Sequence, residues 1–66
     1  MSDTMPDLAA RYALCDTPVT LDTLPARISG ARNQFATVRL TGSGLYAEWS
    51  WPAVARIVAS GGKFKS

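Results

Sequence analysis

Residues 15–32, CDTPVTLDTLPARISGAR, admit two helical parses, and the architecture of the chain turns on them. In one, Thr17 caps a short helix with Pro18 at its first position, and the helix must stop before Pro25. In the other, Asp22 is the cap and Pro25 falls in the tolerated first turn, so that Leu24, Ile28 and Ala31 form the apolar stripe of a helix over about 23–32. The second parse is adopted, with Val19 and Leu21 as an extended lead-in. Gly30 weakens that helix or marks its end, by about 1 kcal/mol relative to Ala.

Upstream, Thr4 followed at the third position by Asp7, with Pro6 between them, resembles a capping arrangement. It opens a segment with Leu8, Ala9, Tyr12 and Ala13 at helical spacing, which predicts a helix over about 5–14. A short strand at Arg11–Cys15 is the competing reading, because Tyr12 and Leu14 also alternate. Downstream, residues 34–41 and 45–51 are rich in β-branched and aromatic side chains and flank Gly42, Ser43 and Gly44, the signature of a hairpin. Alternation places Ala36, Val38 and Leu40 on one face of its first strand and Leu45, Ala47, Trp49 and Trp51 on one face of the second. A two-residue turn at Gly42 and Ser43 sets Leu40 against Leu45, Val38 against Ala47 and Ala36 against Trp49. A slip of one residue would bring Val38 against Glu48, so the register is specified. The outer face then carries Phe35, Thr37, Arg39 and Thr41 beside Tyr46, Glu48 and Ser50, with Arg39 and Glu48 diagonal to one another.

The last element opens on Ser50, Trp51 and Pro52, a cap followed by an early proline, and carries Val54, Ile57 and Val58 on one stripe. Gly61 and Gly62 end it, since glycine supplies the left-handed conformation that closes a helix. A helix over 52–60 follows. These elements predict an α+β fold in the order α-α-β-β-α, with two N-terminal helices, a two-stranded antiparallel hairpin and a C-terminal helix. Residues 1–5 are expected to be a flexible N-terminus, 6–62 a single compact domain, and 63–66 a short basic tail.

A chain of 66 residues has room for one domain only, because a domain near this size buries about 60% of its unfolded surface. Such chains usually need a disulfide, a metal, a partner or very regular packing. The single Cys15 cannot form an internal disulfide, and without His no Cys/His zinc site can be assembled. Regular packing or self-association remains. Asp3, Pro6 and Asp7 stand where a signal peptide needs a basic start and an apolar run, so a cytoplasmic location is expected. No apolar run approaches the length of a membrane span. Charge is uneven along the chain: residues 1–23 have a balance of −3 and residues 24–66 a balance of +5.

The absence of His removes Ser/His and Cys/His nucleophilic pairs, and Cys15 has only Arg11 nearby to favour a thiolate. Four of the five carboxylates lie in capping or loop contexts, and so small a chain has little room for a substrate pocket. No catalytic residue, metal ligand, cofactor or small-molecule substrate is expected, and the chain reads as a non-enzyme. Gly42, Gly44 and Ala47 match the dinucleotide pattern G-x-G-x-x-A, but that pattern carries meaning only where a helix follows, and here a strand does.

Two binding functions survive. The first is a protein-binding module, such as an inhibitor, adaptor or assembly factor, whose partner is another protein or a second copy of itself. Phe35, Arg39, Tyr46, Trp51 and Phe64 are its candidate contacts, because exposed aromatics beside Arg make binding hot spots. The open edges of a two-stranded sheet add a second route to a partner. The alternative is a winged-helix-like DNA- or RNA-binding regulator, with Arg27, Arg32, Arg39, Lys63 and Lys65 placed on its second helix, wing and tail to contact phosphates.

Overall fold

The computed structural model describes residues 5–66. Two helices and five strands follow one another as α1 (Leu8–Cys15), β1 (Val19–Leu21), β2 (Leu24–Ser29), β3 (Phe35–Leu40), β4 (Tyr46–Ser50), α2 (Trp51–Ala59) and β5 (Lys63–Phe64). The strands form one curled mixed sheet in the order β4-β3-β2-β1-β5, a half-barrel. All pairs are antiparallel except β1 with β5. The expected α-α-β-β-α order is therefore wrong: among the described residues there is no second N-terminal helix, and the two-stranded hairpin is part of a five-stranded sheet.

The correction lies in residues 17–32. Leu24 and Ile28, four apart, satisfy a helical stripe and a strand face equally well. Ala26 decides between them, being buried together with Ile28 while Leu24, Pro25, Arg27 and Ser29 are exposed. Asp22 does not cap a helix. With Thr23 it forms a two-residue turn in which both take left-handed backbone (φ 53° and 72°), the conformation that joins Leu21 to its cross-strand partner Leu24. Pro25 is tolerated in an interior strand because it sits at the end of the β2–β3 ladder. Its carbonyl accepts from the Thr41 N–H at 3.1 Å, and the one reciprocal bond that proline cannot donate is lost at the end of the ladder, where it leaves the inner rungs intact.

The other elements follow the sequence more closely. The Thr4 cap and most of the expected N-terminal segment 1–5 lie outside the described residues. The helix is capped instead by Asp7, whose carboxylate accepts from the Ala10 N–H at 2.8 Å. In the β3–β4 hairpin Val38 stands opposite Ala47 and Ala36 opposite Trp49, as alternation requires, although the connection is wider than a two-residue turn, with Gly44 N–H bonded to the Leu40 carbonyl. Ser50 caps α2 through its hydroxyl, and Pro52 lies in the first turn. The helix ends where Gly62 N–H reaches back to the Ile57 carbonyl at 2.9 Å. Gly62 is needed twice over, since its φ is +74° and a Cβ there would meet the Pro18 carbonyl and Val19 at 3.3 Å.

Of residues 63–66, expected as a basic tail, Lys63–Phe64 form β5 instead. Phe64 is buried, and β5 runs beside β1 through the bonds Thr20 N–H to Gly62 carbonyl and Asp22 N–H to Phe64 carbonyl, both 2.9 Å. The core inside the curl holds Val19, Leu21, Ala26, Ile28, Ala36, Val38, Trp51, Val54 and Phe64. Helix α2 spans it, touching β3, β4 and β5, while α1 rests on β2 and α2. No helix among the described residues is long and apolar enough to cross a membrane.

Candidate functional site

Because Ala26, Ile28, Ala36 and Val38 point inward, the residues between them point outward and line up in rows across β2, β3 and β4. One row is Arg27, Arg39 and Tyr46, with Arg27 directly opposite Arg39 and Arg39 directly opposite Tyr46. The next is Ser29, Thr37 and Glu48, and the third brings Phe35 against Ser50. Like charges directly across a sheet are unfavourable by roughly 0.2–1 kcal/mol, so the Arg27–Arg39 pair needs an explanation. Among the described residues no ion pair relieves either guanidinium. Arg39 lies over the Tyr46 ring instead, 5.7 Å from its centroid, a cation–π contact. The diagonal Arg39–Glu48 meeting expected from the pattern gives way to it, because Tyr46 is the direct neighbour and Glu48 faces Thr37.

The structure disperses the other candidates. Tyr46 is 60% exposed and Phe35 49% exposed, but four residues of strand, about 13 Å, separate Phe35 from Arg39, so the two aromatics do not make one patch. Trp51 and Phe64 are fully enclosed and cannot contact a partner. The Trp51 indole N–H donates to the Asn33 carbonyl at 2.9 Å, and the Phe64 ring meets Trp49 edge-on at 5.0 Å. Trp51 opens α2 and Phe64 lies on β5, and both belong to the core rather than to the outer face.

The basic residues of the nucleic-acid alternative also fall apart. Arg27 is on a strand and Arg32 in the β2–β3 loop, so among the described residues the second helix expected to carry them is absent. Arg32 Nε donates to the Tyr12 hydroxyl at 3.0 Å, a bond that raises the guanidinium's pKa. Lys63 stands beside Thr20 at the far side of the sheet. Lys65 lies near Asp22, whose carboxyl is held below the ordinary carboxylate range first by the Ser66 hydroxyl, then by the Ser66 N–H, with Lys65 adding a smaller attraction. Only Arg27 and Arg39 remain adjacent. Sequence reasoning missed the partnership of Arg27; the one signal for it, the inward-outward alternation of Ala26-Arg27-Ile28-Ser29, counts only when this stretch is read as a strand.

A groove of about 320 Å³ opens beside Arg27, lined also by Asp16, Thr17, Pro18 and Thr41. Cys15 borders it as a free, half-buried thiol, and burial followed by the Asp16 charge pushes its pKa up, away from nucleophilic behaviour. Among the described residues no cluster of three His, Cys, Asp or Glu could hold a metal. No protein-family model, curated protein or solved structure matches the chain.

Proposed function

We propose that this chain is a non-enzymatic binding protein, an adaptor, inhibitor or assembly factor, that holds an acidic segment of another protein against the outer face of β2, β3 and β4. The observation that carries this reading is the Arg27–Arg39 pair, set face to face with no carboxylate between them and flanked by the exposed Tyr46. A partner carboxylate placed between the two guanidiniums turns a repulsion into two charge-assisted hydrogen bonds, a geometry that Arg is built for. Tyr46 offers rigid, amphipathic contact area at the rim of the same row.

A protein partner suits this surface better than a phosphate backbone. Glu48 lies in the adjoining row, and Arg32 and Lys65 are occupied elsewhere, so the face lacks the continuous positive track that nucleic acid requires.

Fluorescence polarisation at low salt with a glutamate-rich peptide, and in parallel with a single-stranded oligonucleotide, tests the proposal. The peptide should bind, and Arg27→Ala with Arg39→Ala should weaken it roughly tenfold or more, the worth of a hydrogen bond to a charged group. Binding of the oligonucleotide without the peptide, or a double variant that binds the peptide as well as the parent, would overturn it.

A further inference from the structure

The two edges of the sheet are unequal. At one end β5 has two residues, flanked by Gly62 and followed by Lys65, the short and charged form in which natural proteins blunt an edge. At the other end β4 has five residues, Tyr46–Ser50, with no Lys and no Pro. Beside it stands Leu45, 69% exposed. The gap between these edges is crossed by α2 and by the Trp49–Phe64 ring contact rather than by backbone pairing. The outer side of β4 therefore presents unpaired main-chain groups. Their phase is set by the bond from Leu40 N–H to the Leu45 carbonyl, 2.7 Å. Leu45, Ala47 and Trp49 turn their N–H and C=O toward β3, and Tyr46 and Glu48 turn theirs to the open edge.

We infer that this edge pairs with the same edge of a second copy, antiparallel about a two-fold axis at Ala47. Three symmetric registers pair the outward groups of Tyr46 and Glu48 with one another, and side-chain chemistry separates them. Centred on Glu48, the pairing sets two carboxylates directly opposite, which is repulsive. Centred on Tyr46, it leaves Trp49 without a cross-strand neighbour on β4. Centred on Ala47, it sets Tyr46 against Glu48 of the second copy and Leu45 against Trp49 of the second copy, each contact occurring twice. Leu45, the most exposed large apolar side chain among the described residues, is then covered by an indole that is itself only half-buried. Such isologous self-complementarity is what a closed dimer requires. It also supplies the outside help that a chain this small, with no disulfide, needs. A pair of five-residue strands is smaller than a standard interface of about 1,600 Å², so association depends on concentration.

Sedimentation velocity over a micromolar-to-millimolar series of the full chain is the test, with circular dichroism to confirm folding. The parent should pass from monomer to dimer. Glu48→Pro removes an N–H that points away from β3, so it keeps the internal ladder and should be at least tenfold weaker in self-association. Leu45→Lys, in the loop, should weaken it as well and decides the matter if the proline variant does not fold. Tyr46→Lys discriminates register: placed opposite Glu48 of the second copy it strengthens the dimer, whereas in a Tyr46-centred pairing it opposes its own copy and weakens it. A parent that stays monomeric throughout, a folded Glu48→Pro that dimerises like the parent, or Tyr46→Lys that weakens the dimer would each overturn the inference. Because Arg27 and Arg39 lie off this edge, loss of dimerisation leaves the peptide-binding test readable on its own.

Discussion

Two of the three hairpins of this sheet, β1–β2 and β3–β4, manage their turns in opposite ways. The β1–β2 turn forces two residues with side chains, Asp22 and Thr23, into left-handed backbone, where a β-branched residue such as Thr is a genuine outlier. The β3–β4 connection gives its left-handed position to Gly44, and a side chain at Gly42 or Gly44 would meet nothing. Yet the poorly chosen turn belongs to the better enclosed hairpin. Val19, Leu21, Ala26 and Ile28 are all buried. The turn itself is held from outside by the Asp22 N–H bond to Phe64 and by Ser66, whose N–H and hydroxyl both donate to the Asp22 carboxylate. Strain persists where surrounding contacts over-determine the backbone, and glycine serves where nothing else holds the loop.

If β5 is what holds the first hairpin, removing its anchor should damage that hairpin first. Phe64→Ala empties a fully enclosed aromatic site and should destabilise by about 3–5 kcal/mol, a large share of the stability of any small domain. In a urea titration the midpoint falls accordingly. By hydrogen exchange the Thr20 and Asp22 amides, which bond to Gly62 and Phe64, should lose protection before that of Val38 in the centre of the β3 strand. Equal loss in both hairpins, or a shift below about 1 kcal/mol, would show that β5 is not the support.

The same contrast explains what could be read in the chain. The β3–β4 register was legible because its signals are local and agree: a Gly-Ser-Gly connection between two alternating runs, with Val38 and Ala47 matched across it. In the first hairpin every local signal has two meanings. Asp22 suits a helix cap and a left-handed turn, Pro25 suits a first helical turn and a ladder end, and the Leu24–Ile28 spacing fits both periods. A stretch with a Thr where the turn prefers Gly argues against a hairpin on local grounds, and the support that makes one possible comes from β5, distant in sequence. The two-residue β5 has no pattern of its own, so Lys63–Phe64 reads as a tail and Phe64 as surface. Phe35, Arg39 and Tyr46 were placed outward by alternation alone and are exposed. The Arg27–Arg39 pair stayed hidden, since it exists only once β2 is a strand.

Replacing the strained residue sharpens the comparison from the other side. Thr23→Gly relieves a left-handed β-branched residue, with the greater unfolded-chain entropy of glycine as the offset. We expect a net gain of about 1 kcal/mol or slightly less, from strain of about 1–3 kcal/mol per such residue, seen as a higher urea midpoint at unchanged slope. A loss of stability would mean that the Thr23 side chain contributes more than its backbone costs.

The smallest effect concerns the carboxylate that ties the turn to Ser66. Hydrogen bonds from Ser66 hold Asp22 below its ordinary range. A carboxyl with a depressed folded pKa contributes stability that is complete above its unfolded value, about 3.9, and lost as pH falls through the folded value. The expected window therefore opens near pH 4 and extends downward. Asp22→Asn keeps an acceptor for Ser66 but cannot titrate, so the difference in unfolding free energy between parent and variant should be constant above that window and shrink within it. The site is fully exposed and its charges are screened by solvent, which makes the change modest and best measured at low salt. A parent and variant that lose stability in parallel on acidification would show that the Ser66 contact does not hold the turn, leaving Phe64 and the main-chain bonds of β5 as the whole of its support.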